Sequence, residues 1–181
     1  QFHSIQWDRD HEVILDRENG GIRAALEARD AGKIRYIGFT GHKDPKYHLA
    51  MLNGGFEFDA AQMPINVVDP HYQSFIDQVV PVCNERNIAA LGMKSLAAQD
   101  ARIPREVGIE PKQCRRFALS MPISSLVIGI QNRSELRSDI EVARSFEPFS
   151  EEEVVRLLSR TEIPAQNGAI EPYKAAEWGK C

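Results

Sequence analysis

The stretch that decides the fold is Gly32 to Thr40, GKIRYIGFT, where one amphipathic segment ends and a β-rich run begins. Upstream of it, Ile22, Ala25 and Leu26 form an apolar stripe at helical spacing. Gly32 suits the left-handed position that commonly follows the last turn of a helix. The segment therefore predicts a helix that is followed closely by a strand.

The same alternation continues on both sides of this stretch. β-rich runs recur at intervals of roughly 25–36 residues, about one βα unit each. The predicted strands are Phe2–Ile5, Ile34–Phe39, Ala60–Ile65, Ile88–Gly92 and Ser124–Ile128. Helix start signals stand between or after them: Asp44 precedes Pro45, and Asn132 and Ser150 each have a glutamate three residues later.

Strand and helix alternation predicts parallel strands whose two faces are covered. A five-stranded doubly wound sheet is complete at 181 residues, whereas an eight-stranded barrel takes about 250 residues and leaves this chain roughly three units short. Periodicity alone leaves both architectures open. The segment after Pro164 has no periodicity, so we expect one domain over residues 1–161 and an irregular tail over residues 162–181, with Tyr173 and Trp178 holding the tail to a surface.

The composition is that of an ordinary globular protein. A net charge of −4 gives no clustered positive field, which argues against nucleic acid as a partner. The sequence contains neither a membrane-length apolar run nor an N-terminal signal pattern. We therefore expect no membrane partner. Cys83, Cys114 and Cys181 lack disulfide-framework or zinc spacing, which favours a reducing, cytoplasmic location. Because Gln1 runs directly into a predicted strand, we also expect an upstream part to be missing.

Several runs, in order, resemble motifs of the aldo-keto reductases. GKIRYIGFT resembles the fifth strand of that family, and FDAAQMPINVVD, from Phe58 to Asp69, resembles the sixth. GMKSLA from Gly92 is similar to the end of the seventh strand, SSLVIGIQNRSEL to the eighth with its phosphate-binding turn, and QFHSI to the fourth. The resemblance covers about residues 1–160. It implies an α/β fold in the form of a partial (β/α)8 TIM barrel, with about five parallel strands and covering helices.

The resemblance also implies an oxidoreductase that reduces an aldehyde or ketone by hydride transfer from NADPH, or from NADH, without a metal. In this family a Tyr donates a proton, a Lys and an Asp lower its pKa, and a His orients the carbonyl group. Only the His is matched, by His3. The other three belong to earlier strands, so we expect a fragment that is inactive alone. Without the resemblance, a strand histidine is more often a hydrogen-bonded core residue.

Cofactor contacts implied by the resemblance lie at the ends of the last four strands. Gln62 matches the residue that binds the nicotinamide carboxamide, although a buried amide can also bond a neighbouring strand. Met93 stands where relatives stack an aromatic ring on the nicotinamide, or it fills the core. Lys94 offers a charge beside the pyrophosphate, or it is an ordinary surface lysine. The whole predicted set is Thr40, Gln62, Met93, Lys94, Ser95, Leu96, Gly129, Gln131, Asn132, Arg133 and Asp139.

The turn from Gly129 to Arg133 has a physical basis of its own. It joins the last predicted strand to a capped helix, whose N–H groups and positive dipole end point toward any anion placed there. The pattern occurs in many α/β proteins and is weak by itself. In the family this turn binds the 2′-phosphate of the cofactor, and Arg133 or Arg137 can supply the positive charge.

Two further expectations concern the other histidines and a second function. His11, His42, His48 and His71 lack metal-ligand spacing, and we expect them to be mostly solvated, with His42 near enough to a strand end to line the site. The alternative to an enzyme is a non-catalytic half-barrel binding module that senses a dinucleotide or self-associates through its unpaired strand edges.

Overall fold

The computed structural model describes residues 1–98 and 100–175. Its five strands form one parallel sheet in which each strand pairs with the next one along the chain. They are β1 (Phe2–Ile5), β2 (Gly38–Gly41), β3 (Ala60–Pro64), β4 (Ala89–Met93) and β5 (Ser125–Leu126). A doubly wound sheet reverses its strand order at a switch point. The unreversed order found here is that of a barrel segment.

Strand β2 begins four residues later than the sequence predicts. Ile34 and Tyr36 are exposed, and the Ile37 N–H donates to the carboxylate of Asp59 at 2.7 Å instead of to a neighbouring strand. From Gly38 onward the register brings Gly38 opposite Ala60. A Cβ at Gly38 would lie 2.6 Å from the Ala60 carbonyl oxygen, so glycine is needed for this close strand approach.

Eight α-helices lie in the part of the chain that the structure describes. They are α1 (Asp10–Leu15), α2 (Gly21–Asp30), α3 (Pro45–Asn53), α4 (Phe75–Gln78), α5 (Val80–Glu85), α6 (Pro111–Ser120), α7 (Arg133–Arg144) and α8 (Glu151–Thr161). None of them is long and apolar enough to cross a membrane. Asp69–His71, Gln166–Gly168 and Pro172–Lys174 are short 3-10 turns, and Ile103–Val107 is a π turn.

Helix ends follow the local signals in the sequence. At the end of α2, Gly32 has a φ of 69° and the Lys33 N–H donates back to the Ala28 carbonyl, which confirms the predicted left-handed stop. Asp44 caps α3, and Ser150 and Glu153 form the complete capping box of α8. The helical stretch from Phe75 to Glu85 is divided into α4 and α5, because Pro81 has no N–H to continue the first of them.

The main core lies between the sheet and its helices. Side chains on this side of the strands, such as Phe39, Ala61 and Ala90, are fully or almost fully buried. Successive residues of a strand face opposite sides, so Thr40 and Gln62 face away from this core. A second core beneath the loop that follows β3 contains Val68, Ile103, Ile109, Phe117 and Leu157.

The end of the chain returns to this sheet. Residues 166–175 make two tight turns, and Tyr173 and Lys174 of the second turn are buried against the loop that follows β3. We refer to Glu171–Lys174 as the strap. The expected attachment of the tail through Tyr173 therefore exists, and it is deeper than a surface contact. Trp178 lies outside the described residues.

Candidate functional site

The carboxyl edge of the sheet gathers several of the predicted site residues on one side. Phe2 pairs with Phe39, Thr40 with Gln62, and Pro64 with Met93, so alternation places the side chains of His3, Thr40, Gln62 and Met93 on the side opposite the helices. His3 is exposed, Thr40 is buried, and Gln62 and Met93 are half-buried. Four separate strands thus contribute to one surface.

Gln62 has a side-chain amide that is free for a ligand. Its backbone carbonyl accepts a hydrogen bond from His48 Nε2 at 3.0 Å, but its side chain has no hydrogen-bond partner among the described residues. A half-buried amide offers one acceptor and two donors, which is the complement of a carboxamide. The alternative of a structural bond to a neighbouring strand is not observed here.

His48 corrects the expectation that this histidine is solvated. It is fully buried, and its ring lies 5.2 Å from the ring of Phe39 and 5.0 Å from that of Phe75. Burial lowers the pKa of His48 to about 4, so the neutral ring donates from Nε2 to the Gln62 carbonyl. The helical stripe formed with Met51 and Leu52 on α3 was the overlooked sequence signal.

In the loop after β4, neighbouring side chains point in different directions. Lys94 has a left-handed φ of 56°, and its Nζ lies 5.2 Å from the centre of the Tyr173 ring. Burial lowers the pKa of Lys94. Ser95 is buried, and its Oγ accepts a hydrogen bond from Arg115 Nη1 at 2.9 Å. Leu96 packs against the second core, so its visible role is structural.

Arg115 is a site neighbour that sequence reasoning missed. Its guanidinium forms a bidentate ion pair with Asp139 while it also holds Ser95. The side chains of Arg115 and Asp139 are each only 9% exposed. The Asp139 carboxylate is therefore already bonded within the chain, and Arg115 joins the loop after β4 to α7. The available signal was the position of Arg115, directly after Cys114 and two residues before Phe117, both of which α6 buries.

The turn before α7 already contains a carboxylate of its own. Asn132 Oδ1 caps the N–H groups of Ser134 and Glu135, as its position predicts. The Gln131 N–H donates to Glu135 Oε2 at 2.8 Å, and Asn132 Nδ2 donates to Glu135 Oε1 at 2.8 Å. Glu135 thus takes backbone and side-chain donors that we assigned to a phosphate. Gly129 and Arg133 are exposed, and Arg133 forms no ion pair within the described ranges.

The strap forms a buried polar network with the loop after β3. Lys174 Nζ lies 2.8 Å from Asp69 Oδ1 and 2.6 Å from Glu171 Oε2. Glu171 Oε1 accepts hydrogen bonds from the Tyr173 hydroxyl at 2.5 Å and from Asn66 Nδ2 at 2.8 Å. Burial, followed by the neighbouring carboxylates, raises the pKa of Tyr173 well above 10. Burial also raises the pKa of Asp69 to about 6.

His42 completes this edge, as its position after β2 led us to expect. Its ring lies 5.7 Å from that of Tyr173 in an edge-on arrangement. Burial, followed by the charges of Lys94 and His3, lowers the pKa of His42 to about 4. The wall of the candidate site therefore consists of strand ends together with the ring of Tyr173.

Comparison with known proteins gives structural matches only. Neither a protein-family model nor a curated protein matches the sequence. The aldo-keto reductase AKR11C1 from Bacillus halodurans, in its holo form, superposes with a TM-score of 0.60 at 13% identity, over 85% of this chain and 58% of that chain. The thermostable aldo-keto reductase Tm1743, in complex with the inhibitor epalrestat, gives a TM-score of 0.55 at 18% identity, over 76% of this chain and 53% of that one.

These matches settle the architecture. The chain spans little more than half the length of either reductase. At such low identity the similarity shows the fold alone, and that fold is the predicted partial (β/α)8 barrel. The sheet order excludes the doubly wound alternative that periodicity left open.

Proposed function

We propose that this chain is part of an oxidoreductase that reduces an aldehyde or ketone with NADPH, or with NADH, and that it supplies one half of the cofactor and substrate site. The observation that carries the proposal is the free amide of Gln62. It faces the open side of the sheet at the carboxyl edge, next to Thr40 on one strand and Leu91 on the other. Ligands of barrel enzymes bind at this edge.

The residues present fit a dinucleotide in part. Gln62 would hold the nicotinamide carboxamide, Met93 would pack on the ring, and the exposed Arg133 would bind a phosphate. Bound NADPH supplies the hydride. His3, exposed on the same side of the sheet, would donate a hydrogen bond to the substrate carbonyl and orient it. Glu135 does not fit a phosphate at the backbone amides before α7, so the arginine side chain has to carry that contact.

The proton donor is expected from another part of the complete protein. Tyr173 is fully buried, its hydroxyl hydrogen-bonds Glu171, and its raised pKa opposes proton release and return during a catalytic cycle. We therefore expect the Asp, Tyr and Lys of such a site to lie on strands that this chain does not contain. The chain alone is expected to bind cofactor without turning over a carbonyl substrate.

Fluorescence titration of the chain with NADPH tests the proposal. Gln62→Leu removes the amide and is expected to weaken binding by roughly tenfold, the equivalent of one or two hydrogen bonds. Gln113→Leu, on the exposed side of α6, is the matched control and is expected to leave binding unchanged. Absence of NADPH binding, or equal binding by both variants, would refute the proposed role of this surface.

Exposed apolar side chains favour one second candidate, a self-associating half-barrel. Val127 follows the edge strand β5 and is 49% exposed, and Leu136 and Ile140 form a stripe on α7 that is 41% exposed at each position. Sedimentation velocity of the chain discriminates between the two. A dimer that Leu136→Glu dissociates would support self-association, whereas a monomer would leave only the enzyme proposal.

A further inference from the structure

Two basic side chains at the carboxyl edge of the sheet contact the same aromatic ring. Lys94 directly follows β4, and its Nζ lies 5.2 Å from the centre of the Tyr173 ring. His42 directly follows β2 and meets the same ring edge-on at 5.7 Å. Strand β3 lies between these two strands, so both side chains stand beside its carboxyl end.

The ammonium group of Lys94 has donors that no group among the described residues accepts. It offers three N–H groups, and neither a hydrogen-bond acceptor nor a carboxylate contacts it in residues 1–98 and 100–175. The buried carboxylates of the strap network, on Asp69 and Glu171, bind Lys174 instead, at 2.8 and 2.6 Å. An anionic acceptor placed beside this half-buried ammonium would therefore stabilise it.

His42 adds a neutral hydrogen-bond donor beside the Lys94 ammonium. His42 lacks a hydrogen-bond partner within the described residues, and its pKa falls to about 4 because of burial and then because of Lys94 and His3. An anion placed between Lys94 and His42 would accept hydrogen bonds from both side chains. A planar carboxylate has two oxygens and can bind both donors at once.

The direction of Lys94 separates this anion from the adenosine end of a cofactor. Its neighbour Ser95 turns toward α6 and α7, where Arg115 joins it to Asp139. Lys94 turns the other way, to the side of His42, which has His3 among its near neighbours. An anion at Lys94 therefore lies on the side of the sheet that carries the proposed carbonyl contact.

We infer that Lys94 and His42 bind a carboxylate group of the substrate, which makes oxo acids the substrate class of the proposed reductase. The assignment of oxo acids as the substrate class rests on the proposed oxidoreductase function. The carboxylate-binding site itself does not depend on that function. The carboxylate is held by the ends of β2 and β4, and the carbonyl group is directed toward His3.

Binding of a matched pair of ketones to the chain tests this site without any need for turnover. Levulinate carries a carboxylate, and methyl levulinate is its uncharged methyl ester. Calorimetric titration of the unmodified chain is expected to show levulinate binding roughly tenfold or more tighter than its ester. Equal affinities, or no binding of levulinate, would overturn the site, and this comparison needs no substitution.

Substitution then assigns the binding to Lys94. Lys94→Met keeps most of the side-chain volume and is expected to remove the preference for levulinate over its ester, while Lys112→Met, on an exposed ion pair, keeps it. Unchanged levulinate binding by Lys94→Met would contradict the assignment.

An NADPH titration of the same proteins separates the two proposals. If Lys94→Met weakens NADPH and leaves levulinate unchanged, Lys94 serves the cofactor, and the carboxylate site is wrong while the oxidoreductase stands. If the chain prefers levulinate but does not bind NADPH, the carboxylate site stands and the proposed function fails.

Discussion

Replacing Lys174 with methionine tests what fastens the strap to the sheet. The Lys174 side chain is completely buried, and its ammonium bonds Asp69 at 2.8 Å, Glu171 at 2.6 Å and the Tyr72 carbonyl oxygen at 2.7 Å. Lys174→Met preserves the approximate length of the side chain. It leaves two buried carboxylates without their common cation.

The expected loss of stability is large. Removing one partner of a buried ion pair costs about 3–5 kcal/mol, a large part of the 5–15 kcal/mol that is typical of a whole domain. The loss depends on pH because burial already raises the pKa of Asp69 to about 6, and the substitution removes the attraction of Lys174 that opposes this rise. A carboxyl group whose pKa is higher in the folded state than in the unfolded state stabilises the fold at pH values below its unfolded pKa. This stabilisation is lost as the pH rises through the folded pKa. The penalty is therefore smaller at pH 5 than at pH 7.

Urea unfolding followed by far-UV circular dichroism measures this free energy at both pH values. Lys112→Met is the control, because Lys112 and Glu141 form a 2.7 Å pair with side chains 52% and 66% exposed. Such exposed pairs contribute little to stability because water and salt screen them. If Lys174→Met costs no more than this control, or if its penalty grows at low pH, the buried network does not hold the strap.

Three further predictions follow from local contacts. Arg115→Met releases Ser95 from Asp139 and is expected to weaken NADPH binding by roughly tenfold in a fluorescence titration, whereas Arg116→Met on the same helix leaves it unchanged. Asn132→Ala removes the cap of α7 and lowers the free energy of unfolding in urea by about 1 kcal/mol, which Asn132→Asp avoids. Burial raises the pKa of Cys83 to about 11 and that of Cys114 to about 12, so iodoacetamide labels neither at pH 8 until urea is added, as peptide mass spectrometry would show.

The strands and most helix ends were predictable because their causes are local. Gly32 adopts the left-handed conformation that ends α2, and Asp44 caps α3 next to Pro45. Apolar runs of strand length identified all five strands. Strand bounds were less predictable: Ile34 and Tyr36 have strand composition, but the pairing that would extend β2 to them is absent, and their side chains are exposed.

The strand-end residues of the candidate site followed from the order of the strands. Parallel strands place their carboxyl ends at one edge, which brings Gln62 and Met93 to the same side. The partners of these residues were hidden because they are distant in sequence. Asn66 bonds Glu171 over a separation of 105 residues, and Ser95 bonds Arg115 across 20. The polar composition of the tail also predicts a solvated segment, because the loop against which the tail is buried is distant in sequence.

The strap explains why the carboxyl edge can keep the Lys94 ammonium in a fixed position. The hydrogen bonds of Lys174 and Glu171 need partners at fixed positions, so they allow only one register of the strap. An apolar tail without such bonds could shift along the same surface. Asn66 also reaches the Lys94 carbonyl oxygen at 3.4 Å, and its side chain holds Tyr173 at 3.2 Å. The same buried bonds therefore set the backbone that carries Lys94 and the ring on which its ammonium rests. Loosening the strap moves the binding groups as well as the tail.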